Sequence, residues 1–349
     1  MKALEGIRVL DLTRLLPGAI VTRWFADFGA EVIKIEQPPL GDYARYTFEG
    51  TEANPVFEFT NRGKKSILID LKDPQGKEDF LRLVRGADVL LEGFRPGVMD
   101  RLGLGYSRLA AENPRLIFAS LTGYGSEGKY SQLAGHDINY LALSGVLDLI
   151  GPKDGPPSLA GVQIADLAGG SQPAIIGILL ALEVRHRTGR GQRVEVSMFA
   201  SSTGLMAIPE STYEATGKAP QRGAELLNGG FACYRVYPAA AGSYVAVGAL
   251  EPRFWSNLCR ELDCQSLISE QFAPDQGPVV AVLTEKFAAA TAEQWFERLG
   301  ERDCCVTPVR NLKEAIADYS SDPQPVLSET PGTSGGRAPL LGQHNSELT

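Results

Sequence analysis

The segment from residue 135 to residue 170 contains a histidine and a carboxylate that together can move protons. His136 lies in the run Gly-His-Asp-Ile-Asn-Tyr, and Asp166 lies in Ala-Asp-Leu-Ala-Gly-Gly. The chain has three histidines, and only His136 is set in a semi-apolar context, with Ile138, Tyr140 and Leu141, where its basicity can be tuned. We therefore predict that an acid–base histidine in this protein is His136.

Both side chains also have purely structural interpretations. Asp166 precedes Leu-Ala-Gly-Gly, a pattern typical of a helix N-cap, and capping is compatible with catalysis at one residue. A single histidine taken alone is more often a hydrogen-bonded structural residue than a catalytic one. The residues alone leave these alternatives open.

The composition limits the classes of ligand and location. The chain has 349 residues, 44% of them hydrophobic, and a net charge of −8, which argues against a general nucleic-acid or anionic-membrane surface. Its five cysteines match neither a zinc nor a Cys-x-x-Cys pattern and indicate a reduced protein. No signal segment or membrane span is expected, so we predict a soluble, cytoplasmic protein with a small ligand and no metal.

The elements that must position these residues alternate between strands and helices. Residues 7–12, 31–36, 66–71, 87–91, 115–121 and 192–198 read as strands, and helices are predicted over 17–28, 74–85, 107–112, 138–149 and 171–187. Asp73 is placed to cap the second of these helices, with Pro74 at its first position. The alternation predicts a parallel sheet in an α/β domain, but the first turn lacks the glycine spacing of an NAD or FAD site.

The pattern changes after Gly229. Two short strands at 234–237 and 244–247 predict a hairpin, and helices are expected to begin near residues 252, 277 and 292, with a last strand at 305–309. We therefore predict four segments: a large Rossmann-like domain (1–190), a linker (191–227), a small α+β domain (228–319) and a C-terminal arm returning towards the large domain (320–349).

Several motifs together resemble one family. Gly-His-Asp-Ile-Asn-Tyr, Ala-Asp-x-x-Gly-Gly, Arg-Pro-Gly-Val at residues 95–98 and Ala-Leu-Glu-Pro at 249–252 are similar to those of the family III coenzyme A transferases, the CaiB/BaiF family. Within that family the chain looks most like the α-methylacyl-CoA racemases. The resemblance covers nearly the whole chain.

The resemblance implies a Rossmann-like parallel-sheet large domain, a smaller α+β domain and an interlocked, ring-shaped homodimer. It implies that coenzyme A enters as part of the substrate and that no prosthetic group is needed. The active-site positions of the racemases fall on His136, Asp166 and Glu251. The coenzyme A-binding positions are assigned to Arg95 and Arg101 for phosphates, and to Gly93, Gly123 and Tyr124, where glycines let backbone approach the ligand.

Two reactions remain open for this set of residues. Racemisation next to a thioester needs one base for each face of C2, which His136 and Asp166 can supply while Glu251 orients the histidine. The enolate needs hydrogen-bond donors, and we expect the small residues 168–170 to leave room for the ligand there. In a CoA transferase, Asp166 would instead attack the thioester and carry an aspartyl-CoA thioester.

The other candidate site residues also have purely structural interpretations. Glu251 is equally a helix-start residue before Pro252, and Arg95 and Arg101 can be surface charges. Gln37 and Val162 occupy positions where some relatives carry Arg and Asn.

Further candidates follow from these departures. Lys34, Arg45 and Lys129 are candidate replacements for the phosphate-binding arginine. Phe231, Tyr234 and Trp255 are expected around the acyl group.

Overall fold

The computed structural model describes residues 1–46, 54–319 and 322–348. The chain divides into two compact units. The first comprises Met1–Val146, Gly161–Met206 and Ser321–Thr349, and the second comprises Leu147–Ala160 and Ala207–Ser320.

The first unit contains a six-stranded parallel sheet among the described residues, in the order β3-β2-β1-β4-β5-β6. This mixed α/β architecture confirms the predicted fold class of the large domain. The order reverses between β1 and β4, and parallel sheets bind ligands outside the carboxyl ends of their strands at such a point. The strands are β1 (Arg8–Asp11), β2 (Glu31–Glu36), β3 (Lys65–Leu68), β4 (Val89–Glu92), β5 (Ile117–Thr122) and β6 (Arg193–Ser197).

Helices cover the sheet and follow the predicted alternation. Those of the first unit are α1 (Leu16–Asp27), α2 (Pro55–Asn61), α3 (Pro74–Arg85), α4 (Val98–Arg101), α5 (Tyr106–Glu112), α6 (Asp137–Ser144), α7 (Ile164–Asp166), α8 (Gln172–Thr188) and α9 (Met198–Thr203). α3 has the predicted bounds, and the Asp73 carboxylate accepts a hydrogen bond from the Gly76 N–H at 2.9 Å, which confirms the predicted cap.

One hydrophobic cluster of the first unit lies between the sheet and helices α3 and α5. Leu10, Ile33 and Leu90 project from neighbouring strands onto Phe80 and Leu109 of these helices. Every residue of β4 and β5 is buried, as expected for central parallel strands covered on both faces. The carboxyl ends of β4 and β5 therefore have fixed positions.

One helical run among the described residues, Ile164–Thr188, is long and apolar enough to cross a membrane by length and composition. It carries Arg185, which is buried and pairs with Asp88 at 2.8 Å. The run packs on β5 and β6. These contacts bury one face of the run against the sheet, whereas Ile176 and Leu180 on the same run are exposed.

The second unit contains the antiparallel sheet β7-β8-β9, with β7 (Tyr234–Pro238), β8 (Tyr244–Gly248) and β9 (Val306–Pro308). The predicted hairpin and last strand are confirmed. Its helices are α10 (Ala207–Thr216), α11 (Pro252–Glu261), α12 (Gly277–Phe287), α13 (Ala292–Leu299) and α14 (Leu312–Ile316).

The units differ from the four predicted segments. Residues 193–197 form a strand of the first sheet and 207–216 form a helix of the second unit, so 191–227 is not a linker. Residues 147–160, expected in the large domain, belong to the second unit. Periodicity identified the strand at 192–198 but does not show which unit it joins.

The C-terminal segment contacts the first unit. The Trp24 indole donates to the carbonyl of Gln324 at 2.7 Å, and the Ser66 N–H donates to His344 Nδ1 at 3.1 Å. Residue 320, where the arm was predicted to begin, lies outside the described residues.

Candidate active site

A cavity of about 450 Å³ lies at the carboxyl ends of β1, β4 and β5, where the strand order reverses. The residues that follow these strands line it, so its position matches the ligand crevice of doubly wound folds. Of the predicted site residues, it is lined by Gly93, Arg95, Gly123, Tyr124 and His136.

His136 is the N-cap residue of α6, and its backbone is fixed by hydrogen bonds on both sides. Asn139 Oδ1 accepts a hydrogen bond from the His136 N–H at 3.0 Å. The Tyr140 hydroxyl donates to the carbonyl of Gly135 at 2.7 Å, and burial raises the pKa of Tyr140 to about 12, so this donor stays protonated. The imidazole projects from this fixed backbone and is exposed.

Asp166 belongs to the helical run that starts at Ile164, and its side chain caps no helix. The N-cap interpretation is therefore wrong. The Asp166 N–H donates to Asp137 Oδ1 at 2.9 Å, which ties the last residue of α7 to the first residue of α6. Asp137, one residue after His136, was not singled out from the sequence, although it lies inside the Gly-His-Asp motif.

The same arrangement changes the acidity of Asp166. Burial of its half-buried carboxyl and, next, the negative charge of Asp137 raise the pKa of Asp166 to about 6, while His136 acts in the opposite direction. His136 and Asp166 are thus close enough to interact electrostatically. A carboxyl that titrates near pH 6 can both release and accept protons close to neutral pH.

A π-helical turn, Leu167–Ser171, directly follows Asp166. The Ser171 hydroxyl donates to the carbonyls of Pro17 at 2.7 Å and of Asp166 at 3.1 Å. Such turns occur frequently at functional sites. This one joins the Asp166 segment to the start of α1.

The sequence analysis expected the glycines of this turn to leave room for a ligand. The structure shows instead that they pack against α9. A Cβ on Gly169 would lie 2.5 Å from Ser202 Oγ, and one on Gly170 would lie 2.9 Å from Met198 Cγ. Both residues are buried against α9. Their small size permits close helix packing.

Gly123 also has a packing role beyond the one predicted. A Cβ there would lie 2.6 Å from the Tyr140 ring, so the missing side chain admits that ring beside the cavity. The aromatic ring of Tyr124 packs edge-on against Tyr140, with centroids 5.0 Å apart. Gly123 therefore helps to set the shape of the cavity.

The predicted phosphate-binding cations are separated by the structure. Arg95 is exposed and lines the cavity, whereas Arg101 is exposed at the end of α4 and does not line it. Lys34 and Arg45 pair with carboxylates of Asp42 and Glu36, at 2.8 and 2.6 Å. Lys34 is fully buried.

A second cavity, of about 240 Å³, lies beside the first at the carboxyl ends of β1, β2 and β3. Arg14 and Phe94 line both cavities. The sequence analysis did not predict this cavity, although the residues that follow these three strands could have indicated it. Its other lining residues include Leu12, Ile35, Gln37, Ile69 and Lys72.

Glu251 lies in the second unit. It is the residue before α11, as predicted, but its exposed side chain makes no capping hydrogen bond. Its partnership with His136 stays a prediction.

A cavity of about 1460 Å³ within the second unit is lined by Phe231 and Tyr234, among others. Trp255 does not line it: this side chain is 0% exposed, and its indole N–H donates to the carbonyl of Leu267 at 2.9 Å. Placing Trp255 beside an acyl group was wrong, because α11 directs it into the core.

Comparisons with known proteins agree with these features. The model of CoA-transferase family III matches residues 4–345. Alpha-methylacyl-CoA racemase of Homo sapiens is 37% identical over 365 residues, which cover 99% of this chain and 92% of the relative. Succinyl-CoA:glutarate CoA-transferase of Homo sapiens is 30% identical, covering 100% of this chain and 85% of the relative.

A solved structure, that of a CaiB/BaiF family protein from Brucella suis, is similar over the full length of both chains. It has a TM-score of 0.86 and 31% sequence identity. The switch-point cavity, the fold and the family match agree with one another. The chain belongs to CoA-transferase family III, whose members act on acyl-CoA thioesters.

Proposed function

We propose that this protein racemises the C2 centre of a 2-methylacyl-CoA thioester. The observation that carries the proposal is the Asp166 carboxyl, whose pKa is raised to about 6 beside His136. One of the two side chains removes the C2 proton, leaving an enolate, and the other returns a proton to the opposite face. Proton exchange in both directions requires one acid–base group at each face of C2.

Asp137 positions Asp166 in this proposal. It holds the Asp166 backbone N–H, and its negative charge keeps the carboxyl of Asp166 a better proton acceptor than an isolated aspartate. Glu251 is proposed to orient His136 within a homodimer of interlocked chains. Support for this role comes from the resemblance of the Ala-Leu-Glu-Pro stretch.

Coenzyme A is proposed to enter as part of the substrate, along the carboxyl ends of the strands. The smaller cavity has apolar walls from Leu12, Ile35 and Ile69, suited to a flat base. The larger cavity, beside His136, suits the extended thioester arm. Arg95 supports this placement because it offers an exposed cation there.

A CoA transferase is the second candidate. The similarity to succinyl-CoA:glutarate CoA-transferase over the full chain favours it. In that reaction the Asp166 carboxylate attacks the thioester carbon, and CoA leaves as its thiolate. The thiolate then attacks the mixed anhydride, which gives an aspartyl-CoA thioester and a free acid.

Hydroxylamine distinguishes the two candidates because it traps an activated aspartyl group. The protein is incubated with a 2-methylacyl-CoA and hydroxylamine, and the peptide containing Asp166 is weighed by mass spectrometry. The racemase proposal predicts unmodified Asp166 and C2 exchange that is lost in His136→Ala. An aspartyl hydroxamate at Asp166, formed equally in His136→Ala, would establish the transferase.

A further inference from the structure

Four basic side chains cluster around the carboxyl ends of β1 and β2, and three of them are paired with carboxylates. The pairs are Lys34 with Asp42 at 2.8 Å, Lys64 with Asp11 at 3.2 Å and Arg45 with Glu36 at 2.6 Å. The fourth, Arg14, has no carboxylate partner among residues 1–46, 54–319 and 322–348. Within these described ranges, Arg14 is thus the unpaired cation of these four, and Asp70 and Lys72 are the other charged residues that line the smaller cavity.

Within the described part of the chain, the contacts of Arg14 are with neutral groups. Its guanidinium donates to Gln37 Oε1 and to the Tyr43 hydroxyl, both at 3.1 Å. It also lies over the rings of Tyr43 and Phe94, 5.2 and 5.9 Å from their centroids. These contacts orient the guanidinium without cancelling its charge, and they leave N–H donors for a further acceptor.

The backbone that carries Arg14 is held rigidly. The Thr13 carbonyl accepts a hydrogen bond from Lys34 Nζ at 2.8 Å, and the Leu15 N–H donates to Asp42 Oδ1 at 3.2 Å. Leu15 has a φ of 61° and a ψ of −150°, a backbone conformation that non-glycine residues rarely adopt and that is strained. Such strain persists where surrounding contacts enforce it and is concentrated at ligand sites.

Arg14 also stands between the two cavities, since it lines both of them. A ligand with a base in the smaller cavity and an extended arm in the larger one has its phosphate groups between these ends. A planar guanidinium binds phosphate oxygens through paired N–H donors. The anion that fits this place is therefore a phosphate group joining a nucleoside to an extended chain.

We propose that Arg14, oriented by Gln37, binds a phosphate group of the nucleotide end of the CoA thioester. This assignment rests on the proposed use of CoA thioesters. Gln37, at a position where some relatives carry an arginine, is a positioning residue that holds Arg14. Lys34 and Arg45 are excluded from this role by their carboxylate partners, Asp42 and Glu36.

Calorimetry with free CoA, dephospho-CoA and pantetheine tests the assignment without relying on turnover. Replacing Arg14 with Gln should weaken CoA binding about 10- to 100-fold, the range expected for charge-assisted hydrogen bonds. Pantetheine, which lacks the nucleotide, should bind wild type and variant equally. Arg187→Gln, at an exposed position near the end of α8, is the matched control and should bind CoA as wild type does.

Dephospho-CoA identifies which phosphate is bound. If Arg14→Gln weakens CoA and dephospho-CoA equally, the 5′-diphosphate is the partner; if only CoA binding weakens, the 3′-phosphate is. Arg14→Lys, which keeps the charge but not the planar fork, should fall between wild type and Arg14→Gln. Gln37→Ala should weaken CoA binding less than Arg14→Gln, and the double variant should add little to Arg14→Gln.

Two negative results have different meanings. If the wild type binds CoA and a folded Arg14→Gln variant binds it equally well, the assignment of Arg14 is overturned and the proposed function stands. Wild type that fails to bind CoA overturns the proposed function and the assignment together. Folding of each variant is checked by its melting temperature, with Arg14→Lys providing the comparison if Arg14→Gln is unstable.

Discussion

Replacing Asp166 with Asn should make the protein more stable at neutral pH. Burial and the charge of Asp137 raise the pKa of Asp166 from its ordinary 3.8 to about 6. The folded state therefore binds a proton more tightly than the unfolded state. The favourable contribution of Asp166 is fully present below about pH 4 and is lost as the pH rises through about 6.

The magnitude follows from the same change in acidity. The difference between 3.8 and about 6 corresponds to about 3 kcal/mol at 1.36 kcal/mol per pKa unit. Because the carboxyl is only half-buried, solvent screening reduces this to about 1–2 kcal/mol. The stability of the Asn variant relative to wild type should rise by that amount between pH 4.5 and 7.5, or about 1–3 °C in melting temperature.

Thermal unfolding of both proteins across this pH range measures the effect. Taking the difference at each pH cancels the titration of groups shared by the two proteins. Asp154→Asn, at an exposed loop position, is the control and should show a constant difference. The raised pKa of Asp166 would be refuted if the stability difference between Asp166→Asn and wild type did not change with pH. It would also be refuted if the wild type became more stable relative to the variant as the pH rises.

Three further changes test the roles given to Asp137, Gly123 and Glu251. Asp137→Asn removes the charge but keeps an acceptor for the Asp166 N–H, so the acid limb of the activity–pH profile should move to lower pH; an unmoved limb contradicts the electrostatic role. Gly123→Ala should lower the free energy of unfolding by about 1–3 kcal/mol because its Cβ meets the Tyr140 ring, as chemical denaturation will measure. Glu251→Gln should lower kcat with little change in KM if it orients His136, and an unchanged kcat excludes that role.

Local sequence patterns predicted most of the sheet. β2 and α3 have the predicted bounds, because β-branched residues and a Pro preceded by a capping Asp mark them unambiguously. The first cavity also contains most of the predicted ligand-binding residues, since loops after parallel strands meet at one edge. These features depend on short-range order along the chain.

The features that were missed depend on contacts between distant segments. Whether an arginine is free to bind an anion depends on which carboxylates surround it. Neither the pairing of Arg45 with Glu36 nor the contacts of Arg14 with Gln37 and Tyr43 follow from spacing along the chain. The packing of Gly169 against α9 and the burial of Trp255 likewise depend on tertiary contacts. Patterns identify candidates, whereas packing decides among them.

The central claim is proton exchange at C2 by His136 and Asp166. The most direct measurement incubates the protein with a single-epimer 2-methylacyl-CoA in deuterated water, without any added carboxylic acid, and follows deuterium at C2 together with the epimer ratio. We predict deuterium incorporation with loss of stereochemical purity, and loss of both in His136→Ala. A C2 position that stays protiated while CoA moves to a subsequently added acid would contradict the account.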